Sequence, residues 1–245
     1  MEKDDLITFM WIIAIAIVVI VGLVVLARFL IGRRRTKALR DLAGDMGWSF
    51  IADGRRVFEM EIVLTFRLFQ HRLRPKARNL LSLQKDRIGA LLFDYRYLIG
   101  SYGGHRQARW QTVAAIHWTG VFFPDFFLQP RGLLEQFLIG TGSRDITLPG
   151  NLLFTKRYKL QGHAEEVVQD FFSDDVIGAI ERGGHFCIEG GGQWLLMYCP
   201  GERLSPGAIP EFHREVMEIA YAMVHRCDPH AASYADDPEG VEEMI

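Results

Sequence analysis

The sequence predicts an α+β protein on a membrane anchor. An N-terminal transmembrane helix is followed by a mostly antiparallel sheet with packed helices. Three observations carry this expectation. Leu6 to Ala27 is an apolar run of 22 residues without a charge. Six basic residues follow it within thirteen positions: Arg28, Arg33, Arg34, Arg35, Lys37 and Arg40. Beyond them, strand-like alternation comes before helix-like spacing, the order expected of α+β rather than α/β.

The run is long enough to span. At about 1.5 Å per helical residue it extends roughly 33 Å, against a hydrocarbon core of about 30 Å. A cleaved signal peptide is not expected, because the leading Glu2-Lys3-Asp4-Asp5 is acidic and the exit is Arg-rich. The basic collar faces the cytoplasm under the positive-inside rule, with Lys3 alone on the other side. The expectation is a single-pass protein of the cell (inner) membrane, N-terminus outside and C-terminal domain cytoplasmic. Arg28 can snorkel to the headgroups, and the collar can lie against anionic lipid.

Composition narrows the partners. Residues 1–40 carry seven basic and three acidic side chains, a net +4. Residues 41–227 balance at 21 of each, and residues 228–245 hold six acids and no Lys or Arg. A neutral domain lacks the basic face that nucleic acid needs, so no nucleic-acid partner is expected. The expected partners are the bilayer and a protein. Cys187, Cys199 and Cys227 are an odd count with no CxxC spacing, which suits a reducing compartment.

The organisation reads as six segments. Residues 1–5 are a short outward N-terminus and 6–31 the transmembrane helix. Residues 32–47 are a basic juxtamembrane helix ending at Gly47. Residues 48–150 form a β-rich half. It holds strands at Trp48 to Ile51, Asn79 to Leu83, Ala90 to Ile99, Arg109 to Trp118 and Asp125 to Leu128. A short helix is expected at Leu133 to Leu138, and residues 57–73 fit neither period. Residues 151–227 form a strand–helix–hairpin–helix half. It has a strand at Arg157 to Gln161, a helix from Glu165 to Phe172 and another capped by Ser173. A hairpin turning on Gly190-Gly191-Gly192 follows, then a last helix opened by Pro206 and Pro210. Residues 228–245 are an acidic tail expected to be disordered.

Segments 90–99 and 109–118 read as a hairpin. Alternation places Phe93, Tyr95 and Tyr97 on one face, and Trp110 with Trp118 on one face of the return strand. These five rings are a candidate binding face. Asp94 and Arg96 alternate with the aromatics, as on a half-exposed strand. The basic stretch Arg67, Arg72, Arg74, Lys76 and Arg78 is either a solvated loop or a contact for lipid headgroups.

Gly47-Trp48-Ser49-Phe50, Phe93 to Tyr97, Gln111 to Ala114, Phe126 to Pro130 and Ile188 to Gly192 resemble segments of an uncharacterised group of bacterial proteins. The resemblance implies an N-terminal anchor with a small cytoplasmic α+β domain. It implies no activity.

No HExxH, P-loop, GxSxG or EF-hand pattern occurs, and no metal or cofactor is expected. His185, Cys187 and Glu189 alternate along one predicted strand. Such a trio could hold a metal or pair a thiol with an imidazole base, with Cys199 adding a second thiolate. It is the alternative reading: a thiol- or metal-dependent enzyme. A lipid-headgroup-sensing domain is a further alternative. The leading expectation is a non-enzymatic, membrane-tethered binding or scaffolding protein.

Overall fold

The structure, a computed structural model, describes residues 3–60, 62–70, 73–100, 106–132 and 145–228. The expected helix at 133–138, most of the glycine-rich stretch after it, the hairpin loop 101–105 and the acidic tail beyond Asp228 lie outside the described residues.

Helix α1 runs without a break from Lys3 to Asp45, so the span and the juxtamembrane helix are one rod of 43 residues. Among the described residues it is the one helix long and apolar enough to cross a membrane. Its apolar half is exposed among the described residues, whereas Leu39 and Ala43 near its end are buried in the core. A helix suits the apolar half because it satisfies every backbone donor within itself. Gly47 ends it in the left-handed region, at φ +69. There the Gly47 N–H donates to the Gly44 carbonyl and the Trp48 N–H to the Ala43 carbonyl. Two otherwise orphaned carbonyls are thereby satisfied, and Trp48 is turned into the core.

Among the described residues nine strands form one fully antiparallel sheet in the order β1-β2-β3-β4-β9-β8-β5-β7-β6. The strands are β1 (Ser49–Asp53), β2 (Leu73–Lys85), β3 (Ile88–Gly100), β4 (Arg106–Trp118), β5 (Phe123–Pro130), β6 (Asp145–Ile146), β7 (Tyr158–Gly162), β8 (Cys187–Gly192) and β9 (Trp194–Tyr198). The helices after α1 are α2 (Ile62–Thr65), α3 (Leu152–Arg157), α4 (Glu165–Phe171), α5 (Asp174–Arg182) and α6 (Ile209–Cys227). The α+β class and antiparallel sheet are as expected.

Both sheet faces are buried. One carries Leu92, Ile116, Leu128, Ile188 and Met197, and packs under α3 to α6 and the end of α1. The other carries Phe93, Tyr95, Tyr97, Phe127 and Leu196, and packs under residues 54–60 and 62–70. That explains why 57–73 matched neither period: its apolar residues follow the sheet it covers, through a 3-10 turn at Arg55–Glu59, α2 and two further turns.

Two local expectations are corrected. Gly190 and Gly191 are not turn residues: they pair with Leu195 and Trp194 in the ladder, and the chain reverses at Gly192 and Gln193. Gly190 has no room for a Cβ, because the Phe126 ring lies where one would be. The basic stretch is not a loop throughout, since Arg74, Lys76 and Arg78 lie on β2 with exposed side chains. Ser173 does precede α5, but its side chain makes no cap hydrogen bond.

Candidate functional site

The polar centre of the chain is Asp94, in the middle of β3. It is 1% exposed, on the face that packs against the helices. Its carboxylate accepts four hydrogen bonds from three elements. Arg35 of α1 donates side-on, Nε to Oδ2 at 2.9 Å and Nη2 to Oδ1 at 2.7 Å. Arg203, after β9, donates from Nη2 to Oδ2 at 2.6 Å. Asn79 of β2 donates from Nδ2 to Oδ2 at 2.7 Å.

Local structure aims each partner. Between Arg78 and Leu81 the β2–β3 register slips by a bulge, with Asn79 at φ 51. A short polar side chain tolerates that conformation, and the bulge points Asn79 at both Asp94 and Thr36, whose hydroxyl donates to Asn79 Oδ1 at 2.9 Å. Arg203 stacks over the Trp110 ring at 4.4 Å. Arg35 Nη1 also donates to the Leu204 carbonyl at 2.6 Å, and the Leu204 N–H donates to Thr112 Oγ1 at 3.0 Å. The result is a latch joining α1, β2, β3, β4 and the segment after β9. Burial pushes the Asp94 carboxyl up, but hydrogen bonds from Arg35 and Arg203 outweigh it and hold the group below its ordinary value.

Arg35 therefore stands apart from the collar. Arg28, Arg33, Arg34, Lys37 and Arg40 are exposed on α1, with Arg33 over the Phe29 ring and Arg40 over the Phe50 ring.

The five rings of the candidate binding face do not form one surface. The register pairs Phe93 with Val113, Tyr95 with Gln111 and Arg96 with Trp110. Hence Phe93, Tyr95 and Tyr97 lie on one side of the sheet, and Trp110 and Trp118 on the other. All but Trp110 are buried. Tyr95 stacks on Tyr97, and Trp118 meets Tyr221 of α6 edge-on at 5.3 Å.

The His185, Cys187 and Glu189 trio is likewise divided. Cys187 and Glu189 are buried beneath residues 54–60 and 62–70, whereas His185 precedes β8 and is exposed. Burial pushes the Cys187 thiol well above its ordinary value, the opposite of an activated nucleophile. The Glu189 carboxylate is held by the Tyr198 hydroxyl at 2.8 Å and by the N–H groups of Arg67 at 2.6 Å and Leu68 at 3.1 Å. Burial still raises its pKa. Glu189 thus fastens the covering segment to the sheet. A cavity of about 220 Å³ beside it is lined by Arg67, Asp125 and His163.

A larger groove of about 450 Å³ lies at the start of α6. Phe186, Leu204 and Phe212 form its apolar floor, and Glu202, Glu211 and Glu215 its rim; His185 and Cys199 also line it. One wall, Cys199 to Ala208, is the segment that the latch holds. Neither the groove nor the latch was found by sequence reasoning. The available signal for the latch was a lone carboxylate amid the apolar residues of β3.

No family model matches the chain, and no curated protein matches it in sequence. Among solved structures it is similar to the crystal structure of the mycobacterial trehalose monomycolate transport factor A, TtfA. The TM-score is 0.54 and the identity 11%, over 80% of this chain and 96% of that one. At that identity the likeness is one of fold.

Proposed function

We propose that this chain is a membrane-tethered binding or scaffolding protein, with the N-terminus outside and the sheet domain at the cytoplasmic surface of a bacterial inner membrane. The observation that carries the reading is the latch. A tether needs only a flexible linker to raise local concentration. Here the span enters the domain as one continuous helix, and a buried ion pair, Arg35 with Asp94, joins it to the sheet. That construction fixes height and orientation, which matter to a protein that presents a surface to a partner beside it. The collar supports the inward orientation. The fold shared with a transport factor is compatible with that role.

The experiment is site-specific photo-crosslinking in intact membranes. Three forms are compared: the full chain, a form with an unrelated span joined through a Gly-Ser linker at residue 33, and Asp94→Ala. Defined cross-links that weaken in both altered forms are expected. Localisation and cross-links unchanged on exchanging the span would overturn the reading.

A further inference from the structure

We infer that the groove at the start of α6 is a docking site for a Lys/Arg-rich polypeptide segment that inserts a bulky apolar side chain. The inference rests on the tethered-binding reading and names the class of partner. Two features define the occupant. The floor is apolar (Phe186, Leu204, Phe212), so it takes a hydrophobic side chain rather than a polar one. Three glutamates, Glu202, Glu211 and Glu215, line the groove, and among the described residues no Lys or Arg does. Glu211 is already paired with Arg214, but Glu202 and Glu215 have no ion-pair partner among the described residues. Two uncompensated carboxylates above a hydrophobic floor call for cations flanking an apolar knob.

Position selects polypeptide over lipid. Arg35, which holds the groove wall through the Leu204 carbonyl, lies four residues beyond Ile31. That is about 6 Å along the helix from the end of the expected transmembrane segment 6–31. At that level anionic headgroups are repelled by the rim, and zwitterionic ones would bring a phosphate against it. Cytoplasmic segments of membrane proteins close to the bilayer are rich in Lys and Arg. They reach this groove at the right height with the right charge.

The test uses the full chain in phosphatidylcholine nanodiscs and labelled 14-residue peptides, read by fluorescence anisotropy. One peptide carries Arg pairs flanking Leu-Phe, a second has Glu for Arg, and a third has Ser for Leu-Phe. The first is expected to bind at least tenfold more tightly than either of the others. Glu202→Lys/Glu215→Lys is expected to weaken it tenfold or more. Ala208→Trp, which fills the groove without changing its charge, is expected to do the same. Equal binding of the three peptides overturns the inference, as does unchanged affinity in both variants or displacement by phosphatidylethanolamine vesicles. None of those results alters membrane retention or the effect of exchanging the span, so the tethering reading is scored separately.

Discussion

Arg35 and Asp94 meet side-on in a two-point ion pair although 59 positions separate them, one on the anchor helix and the other inside the sheet. Their geometry gives the anchor a fixed seat. Asp94→Ala removes the acceptor and leaves the guanidiniums of Arg35 and Arg203 largely desolvated and unpaired. Breaking a buried pair this way costs about 3–5 kcal/mol. Urea unfolding of the full chain in detergent should show a loss near that size. Arg34→Ala, on the exposed collar, should fall within about 0.5 kcal/mol of wild type.

His213 of α6 makes an acid-sensitive core. Its ring is fully buried and edge-on to Trp48 at 4.6 Å, and neither nitrogen has a hydrogen-bond partner among the described residues. Burial lowers its pKa from 6.5 to about 4. The unfolded chain therefore takes up the proton first, so this contribution is complete above pH 6.5 and lost as pH falls towards 4. The loss amounts to about 3 kcal/mol. His213→Leu should flatten the stability curve over that window relative to wild type. Asp94, with a depressed pKa, acts lower: its contribution holds above 3.8 and disappears as pH falls through its folded value.

Glu189 tests the attachment of the covering segment. Glu189→Ala removes an acceptor from the Tyr198 hydroxyl and from the Arg67 and Leu68 N–H groups, at about 1–3 kcal/mol for any donor that ends buried and unsatisfied. Glu189→Gln keeps one acceptor oxygen and gives up the charge that burial disfavours, so it should cost less. Hydrogen exchange at residues 66–70 should accelerate strongly in the alanine variant and modestly in the glutamine variant.

The three cysteines should be slow to alkylate. Burial pushes Cys199 up to about 12 and Cys227 to about 11, and Cys187 higher than its ordinary value by the same cause. At pH 8 the native thiols should react with iodoacetamide about 100-fold or more slowly than free cysteine, all three becoming reactive in guanidinium. A fast native thiol at Cys187 would revive a thiol-dependent chemistry.

The legible parts of the fold were those whose signal is local. The long apolar helix, the Gly47 stop, the β3–β4 hairpin, the order of elements from β7 to α6 and the stripe of α6 all follow from neighbours in sequence. What escaped depends on pairing across distance. Alternation places Phe93, Tyr95 and Tyr97 together, and Trp110 with Trp118. Which face of β4 sits beside which face of β3 depends on register, and a one-residue shift exchanges the faces. Asp94 looked like the polar side of a half-exposed strand, because its partners Arg35 and Arg203 lie 59 and 109 positions away. Glu189 looked like a ligand for the same reason: the two N–H groups it binds lie over 120 positions upstream.

The unbroken α1 also makes the protein a lever. Eight interstrand spacings of about 4.8 Å carry the sheet roughly 38 Å from β1, where the helix is seated, to β6. Spans lean to match bilayer thickness, by about 20° on average. With no joint between span and sheet, a change in lean of about 10° swings the far edge by roughly 7 Å. If α1 spans a bilayer, local membrane thickness would be converted into displacement of the α3 and β6 end of the domain.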